Sequence, residues 1–99
     1  MLSNITVYSK TDCPYCKKVC ELFDALKINY VVYKLDEHFS KKAFYNEFGE
    51  GTTFPQVTIG ARTIGGSKET VTYLIATFIL KETKQINHRL ESFVKVQLL

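Results

Sequence analysis

Long apolar runs are absent from this 99-residue chain, and so is a basic segment followed by an apolar stretch at its start. No part of the sequence approaches the ~18 consecutive apolar residues that a membrane-spanning helix needs. The opening segment MLSNITVYSK also lacks the pattern of a secretion signal. We therefore expect a cytoplasmic protein that does not associate with membranes.

Cysteine is scarce, with three residues in the whole chain. Permanent disulfides are rare in reducing compartments, and an odd number of cysteines also argues against a framework of structural disulfides. The cysteines are therefore predicted to have a chemical role.

Neither sign of charge dominates, because 13 basic residues face 10 acidic ones and the net charge is +3. The lysines are scattered along the chain, which gives little support for nucleic-acid binding but is compatible with a small anionic ligand. At this length, with 45% apolar and 23% charged residues, the sequence predicts a single domain over residues 1–99 with a modest core.

The hydrophobic pattern predicts an α/β fold with the element order βαβαββα. Strands are expected at residues 5–8, 30–35, 56–59 and 62–64. The continuous apolar run at 30–35 is typical of a buried parallel strand. Three apolar stripes at helical spacing predict the helices; they begin at Val19, Phe39 and Val71, and Ser67 is the expected N-cap of the third.

The pattern weakens after residue 82, and residues 83–99 are expected to form an extension outside the compact core. Apolar residues in this extension suit an added helix, which we favour, although Val94, Val96 and Leu98 also alternate as in a strand.

The segment TDCPYC, residues 11–16, places two thiols two residues apart directly after the first strand. Proline is tolerated at the first position of a helix, so Pro14 makes Cys13 the expected N-cap residue. There its sulfur can accept hydrogen bonds from the N–H groups of Tyr15 and Cys16 at the positive end of the helix dipole. Both effects favour a thiolate at Cys13.

The two thiols are predicted to be unequal. Cys16 falls on the apolar stripe that includes Val19, whereas Cys13 is at the exposed helix tip. An exposed thiolate can attack a disulfide and a shielded thiol can resolve the intermediate, which is the behaviour of a dithiol oxidoreductase.

Two other interpretations of the cysteines remain open. One is a pair of buried structural cysteines. The other is a zinc site, which would need four ligands; the candidates beyond the CxxC are Cys20, His38 and His88, with no second CxxC and no His-x3-5-His spacing. Cys20 lies on the inward stripe and is predicted to act as a small buried hydrophobe, with a regulatory thiol or an extra ligand as the alternatives.

Three motifs together resemble the signature regions of dithiol glutaredoxins: Lys10–Cys16, Thr53–Val57 and the pair Gly65-Gly66. The resemblance covers about residues 3–82. It implies a thioredoxin-like fold, a four-stranded mixed sheet flanked by helices. It also implies glutathione-dependent reduction of protein disulfides and of glutathione mixed disulfides.

The resemblance further implies a role for individual residues. Cys13 would be the nucleophile and Cys16 the resolving thiol, with Lys10 as partner of the thiolate and of a glutathione carboxylate. A cis Pro55 would leave the backbone of Phe54 free to pair with the ligand. The implied glutathione-binding set is Lys10, Tyr15, Thr53, Phe54, Pro55, Gly66, Ser67 and Glu69, and no metal ligand is implied.

The sequence departs from the family pattern at two places. Family members usually carry an Asp after the residue that follows the glycine pair, where this chain has Ser67-Lys68-Glu69, and Thr52 stands where many members have a basic residue. Glu69 is expected to take the place of the Asp.

Glutathione and disulfide-containing or glutathionylated proteins are the implied partners, with ribonucleotide reductase a family-level candidate, and the protein is expected to be a monomer. The alternatives are the same chemistry driven by thioredoxin reductase, an iron–sulfur carrier with a cluster on the Cys13 thiolates of two subunits, and a redox-inert interaction module. The CPYC motif argues against the cluster, and the unequal thiols argue against the inert module.

Overall fold

A computed structural model describes residues 4–78, which form a mixed sheet flanked by three helices. The element order is βαβαββα as predicted, and the fold is thioredoxin-like. The elements are β1 Ile5–Ser9, α1 Pro14–Ala25, β2 Val31–Lys34, α2 Lys41–Phe48, β3 Gln56–Ile59 and β4 Arg62–Gly65, followed by helix α3, described over residues 67–78. The predicted extension at 83–99 lies outside the described residues.

Strand β1 is central, because the strands are ordered β2-β1-β3-β4. Val7 pairs with Val32 of β2 in parallel and with Val57 of β3 in antiparallel orientation. Strand β4 continues the sheet antiparallel to β3, with a register shift between Val57 and Thr58. The right-handed β-α-β crossover is the expected way to join the parallel pair.

The alternation of β1 supplies the two faces of the sheet. Its odd-numbered residues are buried, and Ile5 and Val7 pack in one cluster with Val19, Phe23, Val57 and Leu74. On the opposite face Tyr8 contacts the ring of Phe48 of α2, with centroids 5.1 Å apart. Both faces of the central strand are therefore covered, as its apolar alternation requires.

The expectation of a buried β2 is wrong. Val31 is 50% exposed and Tyr33 41% exposed, because β2 lies at an edge and has one strand neighbour within residues 4–78. The parallel pairing itself is confirmed. A continuous apolar run indicates a strand, but it does not distinguish a central strand from an edge strand.

The helix starts follow ordinary capping chemistry. The Ser40 hydroxyl accepts a hydrogen bond from the Ala43 N–H at 3.0 Å at the start of α2. The expected cap of α3 is displaced by one residue, because the Gly66 carbonyl accepts the first helical bond from Thr70 at 3.0 Å. Gly66 is therefore the N-cap and Ser67 the first helical residue. Within residues 4–78 none of the helices has the length and hydropathy to cross a membrane.

Phe44 is expected to be a main contributor to stability. It is 2% exposed and packs against the rings of Phe39 and Phe54. We predict that Phe44→Ala lowers the free energy of unfolding by about 3–5 kcal/mol. The matched control Val31→Ala, on the exposed edge, should cost about 0.5 kcal/mol. Urea titrations of both variants measure the difference, and comparable losses would contradict this picture of the core.

Candidate active site

The turn between β1 and α1 presents the CxxC segment at one end of the sheet. Residues 11 and 12 form the turn, with Asp12 in the left-handed region at φ 56°, a conformation that Asp tolerates better than most residues. Cys13 is extended at φ −117° and ψ 97°, and Pro14 opens the helix. The predicted N-cap position of Cys13 is confirmed.

Cys13 and Cys16 form a disulfide, with Cα atoms 5.3 Å apart. The Cys16 N–H donates a hydrogen bond to the Cys13 sulfur at 3.2 Å. The sequence predicted two donors to this sulfur, the N–H groups of Tyr15 and Cys16, and only that of Cys16 makes the bond. The same N–H and the helix dipole would stabilise a Cys13 thiolate after reduction of the bond.

The two sulfurs differ in burial. Cys16 is 5% exposed and points toward the core, whereas Cys13 is half-buried. The predicted asymmetry is therefore present, although Cys13 is less exposed than its position at the helix tip suggested. A nucleophile that reaches solvent beside a shielded partner is the arrangement that thiol–disulfide exchange requires.

An open cleft of about 610 Å³ lies beside the disulfide. Lys10, Lys17 and Lys34 supply positive charge to its lining, and Asp12 supplies the one carboxylate of this lining. Such a charge balance favours a thiolate and an anionic substrate over a neutral one.

Lys34 was not predicted from the sequence as a site residue. It lies at the carboxyl end of β2, and Ser9 at the carboxyl end of β1 is its register partner. The rule that ligands meet the carboxyl ends of parallel strands could have identified it.

Cys20 carries a free thiol that lines the same cleft and packs against the core. The prediction of a buried hydrophobe is partly correct, because the side chain is half-buried. Burial raises the pKa of this thiol, a hydrogen bond with Tyr30 lowers it, and the charge of Asp24 raises it, with a net increase. Cys20 is therefore a poor nucleophile at neutral pH.

The loop before β3 carries the second motif. The Phe54-Pro55 peptide bond is cis, as the resemblance implied, and Pro55 is buried. The Gln56 side-chain amide donates to the Thr53 carbonyl at 3.1 Å, which ties the start of the loop to the strand. The Phe54 ring stacks on Phe44 with centroids 4.2 Å apart.

The glycine pair lies against this loop. Gly65 has φ +125°, and a Cβ on Gly66 would lie 3.5 Å from the Pro55 carbonyl oxygen. The Gly66 N–H donates to Glu69 Oε1 at 2.9 Å, and the Thr70 hydroxyl donates to the Gly66 carbonyl at 2.8 Å. Glu69 thus forms one half of a capping box at the start of α3.

A second cleft of about 390 Å³ separates the starts of α1 and α3. Tyr15 and Ser67 are in its lining, together with Lys18 and Lys68. The Lys18 ammonium lies 5.5 Å from the centroid of the Tyr15 ring, and Tyr15 is 60% exposed. Tyr15 therefore forms an exposed wall of this cleft.

The structure brings the proposed site residues to one end of the sheet. Lys10 lies beside Cys13 in the larger cleft, and its ammonium is 5.6 Å from the Phe54 ring centroid. Pro55, Gly66 and Glu69 are adjacent, and Ser67 and Tyr15 share the smaller cleft. Thr53 is exposed, and its carbonyl is engaged by Gln56.

The candidate zinc ligands do not converge within the described part of the chain. No group of three His, Cys, Asp or Glu side chains among residues 4–78 could hold a metal ion. His38 instead accepts a hydrogen bond from the Lys34 N–H through Nδ1 at 2.8 Å. His88 lies outside these residues.

Comparison with known proteins gives one consistent result. A family model described as Glutaredoxin matches residues 5–64. A glutaredoxin of Vernicia fordii is 37% identical over 71 residues, which cover 69% of this chain and 68% of that protein.

Solved structures agree with the sequence comparison. The holo form of glutaredoxin C1 from Populus tremula x tremuloides has a TM-score of 0.64 and 32% identity, covering 84% of this chain and 85% of the other. A buckwheat glutaredoxin–glutathione complex has a TM-score of 0.61 and 28% identity, covering 82% of this chain and 76% of the other.

The capping geometry predicts the order in which the three thiols react. With iodoacetamide across pH, Cys13 of the reduced protein should react first, with an apparent pKa below the ~8.5 of a free thiol. Cys20 should react with an apparent pKa above that value, because burial disfavours its thiolate. Mass spectrometry locates the label, and Cys20→Ser serves as the control. Fastest labelling at Cys16 or Cys20 would contradict the assigned roles.

Proposed function

The chain belongs to the glutaredoxin family as a CPYC-type dithiol member and is a thiol–disulfide oxidoreductase; on that premise we propose that glutathione is its reductant. Its substrates would be protein disulfides and glutathione mixed disulfides. The observation that carries the proposal is the half-buried Cys13 sulfur at the start of α1, hydrogen-bonded by the Cys16 N–H and beside a cleft with three lysines.

The first step is attack by the Cys13 thiolate on the glutathione sulfur of a mixed disulfide. A Cys13–glutathione disulfide forms, the original S–S bond breaks, and the substrate protein leaves as a thiolate that takes up a proton. The α1 N-terminus stabilises the attacking thiolate, and nearby lysines attract the anionic tripeptide.

Cys13 is then released by either of two routes. A second glutathione thiolate can attack the glutathione held on Cys13, which gives oxidised glutathione and a free Cys13 thiolate. With a protein disulfide as substrate, the protein is the group bound to Cys13, and Cys16 can displace it. The result is the Cys13–Cys16 disulfide seen in the structure, which two glutathione molecules then reduce.

Glutathione would lie across the end of the sheet between the two clefts. An extended cysteinyl unit would pair with the backbone of Phe54, next to the cis peptide before Pro55. The N–H groups at the start of α3, with Ser67 as its first helical residue, could hold the γ-glutamyl carboxylate. The glutathione complex of the similar buckwheat protein supports this class of ligand.

The decisive experiment measures reduction of the mixed disulfide between glutathione and 2-mercaptoethanol, in an assay with glutathione and glutathione reductase. A parallel assay supplies thioredoxin reductase and no glutathione. We expect turnover in the first assay, and turnover in the second alone would overturn the proposed reductant. A reducing cytosol, our proposed location, would supply the glutathione.

Cysteine variants test the two routes separately. Cys16→Ser should retain reduction of the glutathione mixed disulfide, since a second glutathione releases Cys13 without help. Cys13→Ser should lose all activity. Reduction of a protein disulfide by the dithiol route should fail in both variants, because Cys16 is needed to close the bond. The control is Cys20→Ser, with expected retention of both activities, and loss of mixed-disulfide reduction in Cys16→Ser would contradict the assignment.

The start of α3 gives a further prediction about glutathione affinity. In the family, the Asp whose place Glu69 is expected to take holds the γ-glutamyl amino group of glutathione. Glu69→Ala removes this carboxylate, which accepts from the Gly66 N–H, and should raise KM for the glutathione mixed disulfide. Lys68→Thr, at a neighbouring exposed position, should leave KM unchanged or lower it. Steady-state kinetics of both variants measure the effect. An unchanged KM in Glu69→Ala would mean that the γ-glutamyl group is held elsewhere.

A further inference from the structure

The side chain of Phe54 lies between the aromatic core and the active site. Its ring stacks on Phe44 with centroids 4.2 Å apart and planes 14° apart, and on Phe39 at 6.2 Å and 22°. Phe44 is almost fully buried. The orientation of the Phe54 ring is therefore set by the aromatic core between the sheet and α2.

A cation also lies near the Phe54 ring. Lys10 follows β1 and is exposed, yet its ammonium lies 5.6 Å from the Phe54 ring centroid. This distance is within the range of a cation–π interaction. A solvent-exposed lysine otherwise samples many rotamers, and contact with a fixed ring reduces that freedom.

Lys10 is also part of the lining of the cleft that contains Cys13. We propose that Phe54 is a positioning residue, whose ring holds the Lys10 ammonium where it meets a carboxylate of the substrate. The inference rests on the proposed glutathione-dependent function. It assigns a role to the Phe54 side chain, distinct from the backbone pairing expected next to Pro55.

The expected kinetic consequence is specific. Phe54→Leu keeps an apolar side chain but removes the ring, so Lys10 must be ordered by the substrate itself. KM for the glutathione mixed disulfide should rise about two- to fivefold, the range of an exposed cation–π contact, with kcat nearly unchanged. Phe54→Tyr keeps an aromatic ring, so its KM should be close to that of the wild-type protein.

A double-mutant cycle distinguishes positioning from loss of packing. In a Lys10→Met background, Phe54→Leu should cause no further rise in KM, because the residue through which the ring acts is gone. An equal rise in both backgrounds would overturn the inference. The control Tyr45→Leu removes the ring near the Lys41 ammonium, 5.8 Å from its centroid, away from the cleft, and should leave KM unchanged.

Nuclear magnetic resonance tests the contact without any substrate. The side-chain methylene protons of Lys10 should resonate upfield in the wild-type protein, owing to the ring current, and lose this shift in Phe54→Leu. Those of Lys41 should lose it only in Tyr45→Leu. A wild-type Lys10 without the shift would overturn the inference, even if Phe54→Leu did not fold. Absence of glutathione turnover in the wild type would instead overturn the proposed function.

Discussion

The buried stripe of α1 is the constraint on which the site depends. Val19 and Phe23 are each 1% exposed and pack against the central strand, so the helix cannot rotate about its axis without exposing them. Because Cys16 lies on that stripe, its thiol is shielded, and Cys13 is left at the helix tip. The difference between the two thiols thus follows from the packing of α1 on the sheet. Burial of apolar area, which contributes about 25 cal/mol per Å², maintains this orientation of the helix.

The second face of the sheet supports the site in another way. The cis peptide before Pro55, the stacked rings of Phe44 and Phe54, and the Lys10 ammonium form one contact chain from the core to the cleft. On the other side of the loop, Gly66 packs close to the Pro55 carbonyl, and Glu69 caps its N–H. The loop before β3 and the start of α3 are therefore held by rigid elements, as a preorganised site requires.

The charge around the cleft suits its chemistry. Lys10 directly after β1, Lys17 of α1 and Lys34 at the end of β2 all line the cleft. Such a field stabilises a thiolate and favours an anionic substrate, and it weakens as salt screens it. Cys20 shares the cleft, but its raised pKa keeps it protonated, so it does not compete with Cys13 at neutral pH.

The sequence by itself determined the element order, the N-cap position of Cys13 and the inward position of Cys16, because these depend on local periodicity and on the chemistry of Pro14. The cis state of Pro55 came from the family resemblance. Only the tertiary structure decided that β2 is an exposed edge, that Gly66 caps α3 in place of Ser67, and that Lys34 and Cys20 line the cleft. It also brought Lys10 over the Phe54 ring. These features depend on contacts between residues distant in sequence, which the pairing of strands creates and no local pattern encodes.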